Sequence, residues 1–240
     1  WLEDVEGEKS LAWVEEQNRH SLEYLEALPT FEAFRQRNLE IYDSQERIAY
    51  PALRGDYVYN FWKDANNKRG IWRRTTLDDY AAGTTRWEII LDLDALAKEE
   101  QEDWVWKGST CLRPEYRLCL LRLSRGGADA AVIREFDVEE GAFVEDGFYL
   151  AEAKSQLSWI DEDSVYVGSD FGDGSLTDSG YPRTARLWER GVPVNEAREV
   201  FAGEQADVAA AVYRSWDKDT AYDIAYRAPS FFRSIIYRFS

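Results

Sequence analysis

The stretch Tyr57–Leu77, "YVYNFWKDANNKRGIWRRTTL", decides how the chain is read. Aromatic and β-branched residues fill both ends, and a polar turn containing Asn and Gly separates them, the pattern of two strands joined by a loop. The phrase recurs as "RLCLLRLSRGGADAAVIREFDV" from Arg117, "SVYVGSDFGDGSLTDSGYPRTARLWER" from Ser164 and "AYDIAYRAPSFFRSIIYRFS" from Ala221. Short apolar segments precede the later copies, "WVWKGSTCL" from Trp104, "LSWID" from Leu157 and "VAAAVYRSW" from Val208, and "WEIILDL" from Trp87 follows the first. Four strands per repeat of roughly 40–60 residues is the period of a β-propeller blade. A β-sandwich also has short strands and frequent turns, but repetition of one strand-loop-strand phrase favours blades.

Upstream of Tyr50-Pro51 the periodicity is helical. Leu11, Val14, Asn18, Leu22 and Leu25 share one face, and Trp13, His20 and Tyr24 share nearly the opposite one, so this helix has two faces to cover. Ser10 is placed to cap it, Pro29 ends it, and Thr30 is placed to cap a second helix whose stripe is Phe31, Phe34, Asn38 and Ile41. The fold expected is therefore mainly β: N-terminal α-helices over residues 1–46, then a partial β-propeller of about three and a half to four blades over residues 47–240. The last copy stops at "SIIYRFS", Ser234–Ser240, without the outer strand of the earlier copies, and the chain has no Met, so truncation at both ends is expected.

The 240 residues carry 29 Lys and Arg against 46 Asp and Glu, a net charge of −17 spread along the chain. That sign opposes phosphate backbones and anionic lipid surfaces, so neither nucleic acid nor a membrane is an expected partner. No apolar run approaches the roughly 20 residues of a membrane span. Cys111 and Cys119 flank the turn "RPEY" (Arg113–Tyr116) and can face each other across a hairpin. Two cysteines make no disulfide framework, so the preferred reading is a pair of small buried thiols in a reducing compartment. Cytoplasm is then the default location, with the periplasm also compatible.

The search for chemistry turns up no catalytic, cofactor-binding or metal-binding assignment. No "GxSxG" elbow occurs, Ser109 in "KGST" and Ser169 in "VGSDFG" lack that pattern, and the one histidine, His20, sits on the first helix beside Arg19 and Glu23. In "DFGDGSLTD", Asp170, Asp173, Ser175 and Asp178 offer oxygens to a calcium ion, but without the spacing or closing Glu of an EF-hand; a solvated inter-strand loop is preferred. "DED" (Asp161–Asp163) and "EEQED" (Glu99–Asp103) read as hydrated acids, since glycosidase carboxylates must converge from two sides of a substrate. "SRGGAD" (Ser124–Asp129) lacks the Lys of a P-loop and reads as a hairpin turn.

The opening "WLEDVEGEKSLAWVEEQN", Trp1–Asn18, resembles the N-terminal signature of prolyl oligopeptidase-like serine peptidases, and "RIAYPALRGDYVYNFW", Arg47–Trp62, resembles that family's passage from helix into propeller. "RGIWRRTTLDDY", "LSRGGADAAVIREFDV" and "GSDFGDGSLTDSGYPR" are similar to its bacterial branch. The resemblance implies a seven-bladed propeller lying as a lid over a C-terminal α/β-hydrolase domain that bears a Ser-Asp-His triad and cleaves short peptides. It implies that the N-terminal helices pack on that hydrolase domain, that no triad residue lies in this chain, and that this segment by itself is inactive. Separately, the expected truncation leaves open blade edges and helix faces around Trp13 and Leu22, so self-association of the segment is expected. The alternative is a stand-alone, non-catalytic propeller that serves as an interaction module.

Overall fold

The computed structural model describes residues 1–239. They form two units, one of Trp1–Ile48 with Lys63–Asn66, the other of Ala49–Trp62 with the chain from Asn67 onward. In the first unit, α1 (Glu8–Glu26) and α2 (Phe31–Asp43) are joined through Pro29. Helix α1 starts before Ser10: Gly7 takes the cap position in extended backbone, and Glu8 puts its charge at the positive end of the helix dipole. The Ser10 hydroxyl, inside the first turn and buried, instead donates to the Trp1 carbonyl at 2.6 Å. This folds the N-terminus back so that the Trp1 ring meets the Trp13 ring edge-on. Thr30 does precede α2, but its side chain makes no cap bond because its own backbone is already helical. Both expected faces of α1 are exposed, Leu11, Val14, Leu22 and Leu25 on one and Trp13 and Tyr24 on the other.

The second unit holds four antiparallel sheets in chain order. The first contains β1 (Ala52–Arg54), β2 (Tyr57–Trp62), β3 (Ile71–Thr76) and β4 (Glu88–Asp92). A short helix α3 (Leu77–Ala81), capped by Thr76, links β3 to β4, and α4 (Leu93–Glu100), capped by Asp92, follows β4. The second sheet contains β5 (Trp104–Cys111), β6 (Leu118–Arg125) and β7 (Ala131–Asp137), with β8 (Ala142–Phe143) and β9 (Tyr149–Ala153) both pairing to β7. The third contains β10 (Gln156–Asp161), β11 (Ser164–Gly168), β12 (Thr184–Glu189) and β13 (Arg198–Ala202), and the fourth β14 (Ala209–Asp217), β15 (Thr220–Ser230) and β16 (Arg233–Phe239). Each of the four sequence repeats is the β2–β3, β6–β7, β11–β12 or β15–β16 hairpin of its sheet.

The sheets stack face to face, which explains why their central strands read as nearly continuous apolar runs. On β6, Leu118 and Leu120 point to the third sheet, where they meet Trp159, Val165, Val167 and Trp188. Cys119 and Leu121 point the other way, to Tyr59, Trp72 and Ile90 of the first sheet. Leu123 continues that second face against Leu93, Leu96 and Ala97 of α4. Strand β11 alternates in the same manner: Val165 and Val167 face the second sheet, while Tyr166 faces Val212 and Ala225 of the fourth. A series of sheets, each packed face to face on the next, is the blade arrangement of a propeller.

One expectation fails here. The β5–β6 register sets Cys111 directly opposite Cys119, with Cα atoms 3.9 Å apart, and the two sulfurs are bonded as a disulfide. A low cysteine count argues against a framework of several bridges, but it does not bear on two cysteines that one hairpin makes direct cross-strand partners.

Because Leu121 is fully buried between two sheets, Leu121→Ala is expected to destabilise the chain by about 3 kcal/mol. Urea unfolding monitored by tryptophan fluorescence measures this; a change within experimental error of zero contradicts the face-to-face packing.

Candidate functional site

The first strand of each sheet meets the first strand of the next. From β1, Arg54 donates to the Ser109 carbonyl at 3.0 Å and the Ser109 hydroxyl at 2.9 Å on β5. From β10, Trp159 Nε1 donates to the Thr110 carbonyl of β5 at 2.9 Å. From β14, the Arg214 backbone N–H donates to Ser158 Oγ of β10 at 3.0 Å. This run of contacts is the inner side of the blade series, the side from which propellers present their central channel.

Charged pins join the blades behind it. Glu135 on β7 is buried, accepts from Arg190 through both carboxylate oxygens at 2.9 and 3.0 Å, and also accepts the Phe148 N–H at 2.7 Å. Between the third and fourth sheets, Asp223 receives both Arg214 Nε and an Arg214 terminal nitrogen at 2.7 and 2.8 Å, and the Tyr166 hydroxyl at 2.9 Å. The Arg214 hydrogen bond holds the Asp223 carboxyl below its ordinary value. Burial first, and then the bond to Asp223, pushes the Tyr166 phenol up to about 12.

A cleft of about 280 Å³ opens between the first and second sheets beside Arg54. Its walls are aromatic: Tyr59 and Trp72 lie under the guanidinium at 5.0 and 5.7 Å, and Phe61 stacks on Trp106 at 5.1 Å. Arg54 also donates to Cys111 Sγ at 3.0 Å, and burial pulls its guanidinium below the ordinary arginine value. A second cleft of about 400 Å³ lies beside Glu100, Glu102, Arg125, Arg134 and Glu135. There the charges neutralise each other, as Arg125–Glu102, Arg134–Glu100 and Arg190–Glu135 pairs.

The residues singled out in the sequence do not converge. Ser175 lies buried inside its loop, accepting the Phe171 N–H at 2.8 Å and donating to the Gly172 carbonyl at 2.6 Å. Asp170 accepts the Gly172 N–H, and Asp178 accepts from Gln205, so two of the loop's carboxylates are tied to its own backbone and to a neighbouring side chain. Among the described residues no group of three His, Cys, Asp or Glu is placed to hold a metal ion. His20 contacts Arg19 on α1, Ser169 is buried against Ser155 Oγ, and Ser109 is taken by Arg54. Asp161 closes its turn by accepting from the Asp163 N–H and the Ser164 hydroxyl. The "EEQED" acids are not merely hydrated: Glu100 binds Arg134 and Trp104 Nε1, Glu102 binds Arg125, and Asp103 binds Arg69. "SRGGAD" is the β6–β7 turn, with Gly126 and Gly127 both at positive φ.

Residues 1–229 match the family described as prolyl oligopeptidase, N-terminal beta-propeller domain. This chain belongs to that family. The prolyl oligopeptidase propeller match extends to curated relatives: an uncharacterized peptidase of Sinorhizobium fredii is 39% identical over 98% of this chain, and a prolyl endopeptidase of Elizabethkingia meningoseptica is 26% identical over 70%. A post-proline cleaving enzyme from Rickettsia typhi superposes with a TM-score of 0.89 at 26% identity, over 99% of this chain and 36% of its own. The chain spans about a third or less of the length of these relatives, 33% and 22% for the two curated proteins.

The Asp223 clamp makes a pH prediction. A depressed folded pKa contributes stability that is complete above the ordinary carboxyl value of 3.8 and is lost as the pH falls through the lower folded value. Asp223→Asn is expected to lose about 1–3 kcal/mol at pH 7, and the deficit relative to the parent chain should shrink on acidification below that value. Urea titrations at pH 7 and pH 3 measure it, and an equal deficit at both contradicts the clamp.

Proposed function

We propose that this chain is the part of a serine-type peptidase that admits short peptides and excludes folded proteins, the nucleophile, histidine and acid lying in an α/β-hydrolase domain outside these 240 residues. The observation that carries the reading is the family match over residues 1–229 on a chain whose four sheets meet through their first strands. Blade inner strands border a central passage, and a passage walled by hydrogen-bonded β-strands limits what reaches a catalytic chamber by size. The names of the relatives, a prolyl endopeptidase and a post-proline cleaving enzyme, support cleavage after proline as the parent activity. The exposed apolar faces of α1 and α2 supply the surface on which the hydrolase domain packs.

In this reading the chemistry is acyl transfer: serine attacks the scissile carbonyl with histidine as base, and backbone donors stabilise the oxyanion. The propeller holds none of those groups. Its contribution is exclusion of water and of bulky substrates.

The test is hydrolysis of chromogenic peptides of three to thirty residues, with and without proline, by the 240-residue chain and by the protein from the complete gene. Activity only in the complete protein, falling steeply as the peptide lengthens, is expected. Hydrolysis by the 240-residue chain, or length-independent hydrolysis by the complete protein, overturns the reading.

A further inference from the structure

Among the described residues eight arginines of the β unit, Arg69, Arg74, Arg117, Arg125, Arg134, Arg190, Arg214 and Arg227, each meet at least one carboxylate. Arg54 does not. Its three hydrogen bonds go to uncharged acceptors, the Ser109 carbonyl, the Ser109 hydroxyl and Cys111 Sγ. A guanidinium has five N–H donors, so two are left over. Burying a cation without a counter-charge is unfavourable, and stacking on Tyr59 and Trp72 offsets only part of that.

The surroundings select the missing group. In a chain with 46 acids against 29 bases, none of the described residues lining this cleft is acidic. Phe61, Trp72 and Trp106 give it apolar walls, and Asn60 and Ser109 give it polar edges. Among the described residues Arg54 is the one cation lining it, so it matches a singly charged anion better than a phosphate dianion. The volume, about 280 Å³, is of the size that takes one or two amino-acid residues and not a folded partner. The cleft also lies where β1 meets β5, on the inner side of the blades.

We infer that this cleft binds a carboxylate attached to an apolar body, and that in the parent peptidase its ligand is the free C-terminal carboxylate of an oligopeptide. The second half of this inference rests on the function proposed above; the first half rests on the cleft alone. Arg54 is the specificity-determining residue: it holds the carboxylate while the aromatic walls hold the last side chain, so the channel wall favours peptides with a free C-terminus over internal segments of a longer chain.

The experiment uses the full-length protein from the complete gene. N-acetylphenylalanine and its uncharged amide are each titrated against it, with tryptophan fluorescence and calorimetry as readouts. The acid is expected to bind and to quench fluorescence, and the amide to bind roughly tenfold or more weakly. In Arg54→Gln that preference is expected to vanish. Equal affinity for acid and amide in the unaltered protein overturns the inference without reliance on any variant, and so does a preference that survives in Arg54→Gln. Paired peptide substrates ending in a carboxylate or an amide then test the second half: a kcat/KM ratio favouring the acid, and falling to near one in Arg54→Gln, is expected, and a ratio of one in the unaltered protein contradicts it. A protein that binds the acid selectively but hydrolyses no peptide leaves the cleft assignment standing and overturns the peptidase reading.

Discussion

Apolar side chains on both sides of β6 and β11 set the terms for everything else in this chain. A strand with Leu118 and Leu120 on one face and Cys119, Leu121 and Leu123 on the other cannot lie on a surface. It needs a covered sheet face on each side, so the second sheet requires the first and third as walls, and the third requires the fourth. Burial of Trp72, Trp104, Trp159 and Trp188 between the sheets supplies large apolar areas at these seams, with edge-on ring contacts such as Phe148 to Trp159 and to Trp188. The fourth sheet packs on the third through Val212 and Ala225, with Tyr237 of β16 against Phe201 on the same face, while Ile236 on the opposite face remains exposed.

Apolar stacking alone does not fix how one sheet is rotated on the next, and the buried ion pairs supply that specificity. Glu135 with Arg190 and Asp223 with Arg214 and Tyr166 join adjacent sheets at defined points, because each carboxylate has directional partners, and the Glu135 side chain is buried from water as well. The first strands are joined by a few hydrogen bonds, Arg54 to Ser109 and Cys111, Trp159 to Thr110 and Arg214 to Ser158 and Ile160, which leaves one edge of every sheet on a common side. A protein built this way offers a wall of strand edges to a passage, and on that wall, among the described residues, Arg54 lies beside an aromatic cleft without a carboxylate partner, which is what the proposed recognition role uses.

Much of this was legible in the sequence. The repeated strand-loop-strand phrase located all four hairpins, because two-sided burial forces the same dense apolar wording into each, and the phrase "WLEDVEGEKSLAWVEEQN" pointed to the family. What stayed hidden depends on partners distant in the chain. Arg54 finds Ser109 and Cys111 across more than 50 positions, and Glu100 finds Arg134 across 34, so no local pattern around either residue announces the contact. Ser10 was misread for the opposite reason: a nearby competing acceptor, the Trp1 carbonyl, takes its hydroxyl once the helix starts earlier. The disulfide follows from strand register, which a two-residue count cannot reveal.

Two-sided burial of the middle sheets is the claim on which the rest stands, and amide hydrogen exchange resolved by strand tests it most directly. Strands β6, β7 and β11 of the 240-residue chain are predicted to exchange slowest, at rates set by global unfolding, with β16 orders of magnitude faster. Protection of β16 equal to that of β6, or fast exchange throughout β6 and β11, contradicts the account.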